Sequence, residues 1–202
     1  VKIFNEKEVD ELVVLDIFAT KEKREPDFER IKDIATECFM PLAYGGGIKN
    51  LNQIKKVFDQ GIEKVIICSA GEDFELIKKA TEIYGSQSIV ACVDVKKNLF
   101  GKYQVFIESG TKVINLSVEK YIQSLVDAGV GEIILQYINY DSEMQGYNLE
   151  LINKVSSLID VPLIALGGAG KLADFKSAVK EGASAVAAGS LSFDPQGADT
   201  VL

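Results

Sequence analysis

Short β-branched runs alternate along the whole chain with stretches in which apolar residues recur every three or four positions. The runs predict strands at Leu12–Ile17, Leu42–Tyr44, Lys64–Ile67, Ile89–Val95, Ile133–Ile138, Leu163–Leu166 and Ala185–Ala188. Helical spacing fills the intervals near Phe28–Glu37, Leu51–Asp59, Phe74–Ile83, Val118–Ala128, Leu149–Leu158 and Leu172–Glu181. Leu51, Ile54, Val57 and Phe58 trace one helix face, and Phe175, Ala178 and Val179 trace another. Val1–Lys7 reads as the end of a helix, and Lys102–Ser109 alternates like an extra hairpin strand. Strands that are apolar on both faces, each followed by a helix, imply a parallel sheet covered by helices.

The pattern also repeats. Pro41–Ala70 recurs without a gap as Pro162–Leu191, an offset of 121 that carries Gly46-Gly47 onto Gly167-Gly168 and Ser69 onto Ser190. The same offset carries Glu11 onto Glu132 upstream. Two similar halves of alternating strand and helix predict a TIM (β/α)8 barrel forming a single domain over residues 1–202. Four strands fall in the second half and three in the first, so the expectation is a barrel whose first strand is absent from this sequence. A doubly wound open sheet is the alternative, although its topology does not call for duplicated halves. A barrel of seven staves would leave an apolar edge prone to self-association.

Composition narrows the chemistry. With 202 residues, 47% of them hydrophobic, the chain can bury one good core. A net charge of −8 argues against nucleic acid and anionic membrane surfaces as partners. No apolar run has membrane-spanning length. Cys38, Cys68 and Cys92, odd in number and set among apolar residues, read as buried cytosolic thiols. The absence of histidine removes Ser-His and Cys-His nucleophiles and the commonest metal ligand. Any acid or base must be a carboxylate, lysine, tyrosine or cysteine, and nothing points to a metal or a cofactor.

In such a barrel the loops after the strands carry the chemistry. Gly46 and Gly47 follow one strand, and Gly167 and Gly168 follow its counterpart. Glycine there lets backbone N–H groups close on an anion, with Ser69, Gly189 and Ser190 completing a phosphate cup in each half. Glycine that merely permits a tight turn is the competing reading. Asp94 and Asp16 end apolar strands, where a partly desolvated carboxylate suits proton transfer. A salt bridge from Asp94 to Lys96 is the alternative there. At the opposite rim Glu11, Lys64 and Glu132 stand at strand starts, as a mutual ion-pair set or as a gate on the barrel axis.

The chain resembles the cyclase subunit of imidazole glycerol phosphate synthase. The resemblance rests on Asp10–Ile17, Pro41–Ile48, Gly85–Val90, Val93–Lys97, Gly129–Leu135 and Ala165–Lys171, and runs from Glu11 to about Ser190. It implies a substrate with a phosphate at each end, held across the barrel mouth, and ammonia delivered through the barrel by a separate glutaminase subunit. It implies a catalytic role for Asp94, with a partner aspartate lying before Val1. It further implies substrate contacts from Asp16 and Asp141, a gate of Glu11, Lys64 and Glu132, and a glutaminase contact at Glu63.

Several positions depart from the family pattern. Cys68 stands where an asparagine usually contacts substrate, and Asn139–Glu143 replaces a loop usually read Asp-Arg-Asp-Gly-Thr. Gln136-Tyr137 replaces a hydroxyl pair, and Ile114-Asn115 a Thr-Gly. Two other readings stay open: a paralogue that supplies ammonia for sugar amidation in surface-polysaccharide biosynthesis, and a barrel that only binds and activates a glutaminase.

Overall fold

The computed structural model describes residues 1–68, 72–141 and 143–189. The element order is α1 (Lys2–Glu6), β1 (Leu12–Leu15), α2 (Ile17–Lys21), α3 (Phe28–Glu37), β2 (Leu42–Gly45), α4 (Leu51–Phe58) and β3 (Lys64–Ile67). It continues with α5 (Phe74–Tyr84), β4 (Ile89–Lys97), β5 (Tyr103–Ile107), β6 (Lys112–Val113), α6 (Val118–Asp127), β7 (Glu132–Tyr137) and α7 (Leu149–Ser156). The described chain ends with β8 (Leu163–Leu166), α8 (Leu172–Lys180) and β9 (Ala185–Ala187). The strands β1-β2-β3-β4-β7-β8-β9 pair in that order, all parallel. The β5–β6 hairpin is antiparallel and branches from the C-terminal part of β4. Most helices start where a short polar side chain accepts a backbone N–H: Asp27, Asn50, Asp73, Ser117 and Asn148.

Alternate residues of each strand face opposite ways, and both faces are buried. One set, including Leu42, Tyr44, Val65, Ile67, Ile89, Ala91, Ile133, Leu135 and Leu163, packs under the helices. The other set, with Ala43, Ile66, Val90, Cys92 and Ile134 at its centre, forms a second apolar cluster that includes Val13, Leu15, Cys68, Ile164 and Leu166. One cluster drawn from six strands requires the sheet to curl around it. The Lys64 ammonium measures that curl: its Nζ lies 2.8 Å from both Glu11 and Glu132. Those carboxylates belong to strands four steps apart, roughly 19 Å on a flat sheet with neighbours about 4.8 Å apart. Seven parallel strands curled in this order, with helices on the outer face, are the TIM-type arrangement.

The repeat survives in atomic detail. Leu12 pairs with Leu42 and Ala43 with Lys64, and the offset of 121 converts these into the observed pairs Ile133–Leu163 and Ile164–Ala185. The Leu12 N–H donates to Pro41 at 2.9 Å, and the Ile133 N–H to Pro162 at 3.0 Å. The glycines follow the same rule. At Gly46, with φ of +125°, a Cβ would lie 2.5 Å from the Asp16 carbonyl oxygen. At Gly167, with φ of +93°, it would lie 3.1 Å from the carbonyl of Tyr137, the counterpart of Asp16. Each turn is therefore glycine because it leans on the end of the preceding strand.

Several boundaries differ from the sequence expectation, and three of the differences shape the C-terminal rim. β1 stops at Leu15, and Ile17 opens the five-residue α2, because Asp16 accepts the N–H groups of Phe18 and Ala19 and caps a helix. β7 stops at Tyr137, followed by a 310 turn over Ile138–Tyr140. The expected single extra strand is a hairpin, β5 and β6, joined through Glu108, Ser109 and Gly110, all at positive φ. The thiols are also less uniform than expected: Cys92 is buried, whereas Cys38 and Cys68 are half-buried.

The Lys64 bridge generates a stability prediction. Lys64→Met leaves two carboxylates facing one another in a half-buried site and is expected to destabilise the fold by roughly 1–3 kcal/mol in urea denaturation. Adding Glu11→Gln should recover part of that loss. An unchanged denaturation midpoint for the single variant would show that the bridge does not hold the curl.

Candidate functional site

Asp94 lies on the inward face of β4, opposite Gln136 of β7 and Phe106 of β5. Burial raises its pKa from the ordinary 3.8 to about 6, helped by the charge of Asp141 and opposed by the Cys92 thiol. Cys92 Sγ stands 3.8 Å from Asp94 Oδ1 and donates to it. The salt bridge to Lys96 considered from sequence does not form: Lys96 Nζ instead lies 5.1 Å from the centre of the Phe106 ring. Among the described residues Asp94 has no cationic partner. A carboxylate so placed can gain or lose a proton near neutral pH.

Asp16 has a different environment. Arg24 holds it through both terminal guanidinium nitrogens, with Nη1 2.8 Å from Oδ2 and Nη2 2.8 Å from Oδ1. Burial by itself would raise its pKa, but Arg24 and the two capping amides outweigh burial and lower it. Asp16 thus stays ionised and anchors the segment after β1 beneath Gly46 and Gly47.

That segment brings in residues the sequence analysis missed. Thr20, Lys21 and Lys23 join Gly46, Gly47 and Lys49 around a cavity of about 620 Å³ at the mouth. Ile66 and Cys68 also line it, as do Glu108 and Thr111 from the β5–β6 connection. Lys21, Lys23 and Lys49 form no ion pair among the described residues. Three lysines against the one carboxylate of Glu108 on one cavity of an acidic protein favour an anionic occupant. Only the fold-back of residues 16–24, invisible as spacing, unites them with the glycine turn.

The second half repeats the backbone with other side chains. The Lys49 N–H donates to Gln53 Oε1 at 2.8 Å, and its counterpart, the Gly170 N–H, donates to Asp174 Oδ2 at 2.9 Å. A neutral amide in the first half therefore becomes a carboxylate in the second. Gly168 cannot carry a side chain, because a Cβ would lie 2.3 Å from the Gly146 carbonyl oxygen. Tyr137 packs edge-on against Tyr140 with ring centres 4.7 Å apart, and the Tyr147 hydroxyl donates to the Ala187 carbonyl at 2.9 Å. The loop after β7 is held by these contacts, with Asp141 and Glu143 exposed and Gln136 Nε2 donating to Asp141 Oδ2 at 3.4 Å. Gly189 is exposed after β9. Ser69 and Ser190 lie outside the described residues.

At the opposite rim Glu11, Lys64 and Glu132 form one ionic set. Burial alone would lower the Lys64 pKa, but hydrogen bonds to the two carboxylates raise it. Glu63 is exposed, and its Oε2 accepts the Leu42 N–H at 2.7 Å, a role that Ser184 repeats for Leu163 at 3.2 Å. No helix among the described residues is long and apolar enough to cross a membrane.

A curled parallel sheet covered by helices, with glycine turns at its C-terminal rim, defines a TIM-type barrel, a fold that carries its chemistry at that rim. The model of a family described as histidine biosynthesis protein matches residues 1–196, and the chain belongs to that family, among the HisF-type subunits of imidazole glycerol phosphate synthase. It is 46% identical over 194 residues to a provisionally named imidazole glycerol phosphate synthase subunit HisF of Leptospira interrogans, covering 95% of this chain and 76% of that protein. The provisionally named subunit hisF2 of Pseudomonas aeruginosa is 46% identical over 193 residues, covering 95% and 77%. The subunit HisF of Endomicrobium trichonymphae is 38% identical over 191 residues, covering 94% and 74%.

Asp94 should be costly to the fold. Its unfolded-state pKa is near 3.8 and its folded pKa about 6, so the unfolded state binds fewer protons between these values and stability falls as pH rises through them. The full difference is about 3 kcal/mol. Asp94→Asn is expected to stabilise the protein by roughly 1–3 kcal/mol above pH 6, a gain that vanishes below pH 4. Denaturant midpoints measured from pH 4 to pH 8 check this, and a variant equally stable or weaker throughout would contradict it.

Proposed function

We propose that this protein is the ammonia-using cyclase subunit of a glutamine amidotransferase. In this reading it converts a bisphosphorylated ribulosyl-aminoimidazole-carboxamide into imidazole glycerol phosphate, with ammonia supplied by a glutaminase subunit. The observation that carries it is Asp94, a carboxylate with no cationic partner among the described residues, held at the mouth with its pKa raised to about 6. A group with that pKa exchanges protons efficiently near neutrality, as a lyase and cyclisation sequence demands. The glycine turns at Gly46–Gly47 and Gly167–Gly168 receive the two phosphates, together with Ser69, Gly189 and Ser190. Lys21, Lys23 and Lys49 favour the first turn as the stronger anion site. Asp16 shapes that turn through Arg24, and Asp141 faces the ligand from the loop after β7. Glu11, Lys64 and Glu132 form the ammonia gate, and Glu63 belongs to the glutaminase-facing rim.

The identity gradient favours a second reading. The two relatives at 46% are provisionally named subunits, one of them a hisF2, against 38% for the plainly named HisF. With the altered loop after β7, this supports a paralogue that delivers ammonia to another acceptor, such as a sugar destined for surface polysaccharide.

Purified protein given ammonium salt and the bisphosphorylated precursor should release the aminoimidazole product, with an inflection in the pH profile near 6. Asp94→Asn should abolish this turnover while leaving ligand binding intact, as measured by calorimetry. Near-normal turnover in the variant would remove Asp94 from its role. Tight binding without turnover by the unaltered protein would favour a barrel that only binds and activates a glutaminase, and loss of both would favour the second reading.

A further inference from the structure

Two thiols stand side by side near the mouth, and the chemistry above uses neither as a reactive group. The β3–β4 register runs Val65–Ile89, Ile66–Val90 and Ile67–Ala91, so the next residues in line are Cys68 and Cys92. Both follow the inward parity of Ile66 and Val90 and belong to the interior cluster. Directly paired neighbours on adjacent strands have Cα atoms about 4.8 Å apart, inside the roughly 4.4–6.8 Å that a disulfide spans. Their exposure differs. Cys68 lines the mouth cavity, whereas Cys92 is 5% exposed and donates to Asp94 at 3.8 Å. Cys38 is remote from both, at the C-terminal end of α3, with its thiol donating to the Met40 carbonyl.

We propose that Cys68 and Cys92 form an oxidative modification site, in which a peroxide entering the mouth oxidises Cys68 and Cys92 closes an intramolecular disulfide beside Asp94. The Cys68 thiolate attacks one oxygen of hydrogen peroxide, the O–O bond breaks, and the departing hydroxide leaves as water with the thiol's proton. Cys68 is then a sulfenic acid. The Cys92 sulfur attacks the Cys68 sulfur, the S–O bond breaks, and the S–S bond forms. The Cys92 proton passes by way of Asp94 to the departing hydroxide, giving a second water. Two thiols are oxidised and one peroxide is reduced to two waters.

The fully buried thiol suits the resolving position. The adjacent Cys68 thiol, burial and the Asp94 charge all push the Cys92 pKa well up, so it stays protonated until a base is at hand. Closure also acts on the acid. The Cys92 S–H bond is what lowers the Asp94 pKa against burial, and a disulfide has no such donor. Oxidation therefore moves Asp94 to a higher pKa and reduces its ionised fraction near neutrality. Its effect on turnover rests on the cyclase reading, whereas the thiol chemistry does not.

The test uses the intact protein, hydrogen peroxide in non-denaturing buffer, and thiol alkylation followed by mass spectrometry. Of the three free cysteines, one should remain alkylatable after peroxide, with a Cys68–Cys92 linked peptide that dithiothreitol abolishes. Cys92→Ser should instead accumulate a sulfenic acid at Cys68, trapped by dimedone. The Asp94 carboxyl, followed by 13C NMR, should titrate higher in the oxidised protein and return on reduction. Three alkylatable thiols after treatment, preferential oxidation of Cys38, or sulfinic acid at Cys68 in the unaltered chain would overturn the site. A disulfide with an unmoved Asp94 titration would overturn the coupling. None of these measurements depends on turnover, so failure of the cyclase reading is seen separately.

Discussion

The sheet must bury both of its faces, and the rest of the molecule depends on that requirement. Helices cover one face; the other has only itself, and curling is the arrangement that removes it from water. Curling stacks the inward side chains in levels. An ionic level of Glu11, Lys64 and Glu132 closes the N-terminal rim. Above it lie Ala43, Ile66, Val90 and Ile134, an apolar waist with no titratable group. The levels beyond it bring first Cys68 and Cys92, and then Asp94, to the mouth. The waist separates two charged ends, so each can hold its own protonation chemistry.

Duplication supplied one backbone twice, and side-chain differences gave the halves different work. Strand register and glycine contacts coincide across the offset, since they follow from how a strand, turn and helix pack. The side chains on that frame do not coincide. Asp16 and its Arg24 clamp become Tyr137 in an aromatic cluster, and Gln53 becomes Asp174 on the same backbone amide. The first half consequently lines the mouth cavity with lysines, whereas the loop after β7 in the second half carries aromatic rings and carboxylates. Such polarity can orient an unsymmetrical ligand across a nearly symmetrical barrel.

Asp94 illustrates the cost of placing chemistry in such a frame. Removing a carboxylate from water without a cation destabilises the folded state whenever the group is ionised, and the fold tolerates this because the strands around it are buried on both sides. The same desolvation sets its proton affinity near neutrality. Destabilisation and reactivity here have one physical origin, and the Cys92 thiol moderates both.

Much was legible in the chain alone. The alternation of apolar runs with helical spacing determined the seven parallel strands, because a buried strand and an amphipathic helix have periods that spacing reports directly. The repeat determined that the halves share one frame, and strand-end placement picked out Asp94 and the Glu11–Lys64–Glu132 set. Asp16 was read as a strand end but caps α2, and its partner was not read at all, since a guanidinium eight residues away is found only after the chain turns back through α2. Lys21 and Lys23 lie at and just beyond the end of α2 and Lys49 lies between β2 and α4, and Cys68 and Cys92 are 24 positions apart in line with the β3–β4 register. Tertiary structure alone decided those meetings. Periodicity records which face a residue takes on its own element, whereas desolvation, ion pairing and thiol contact depend on what another element brings to that face.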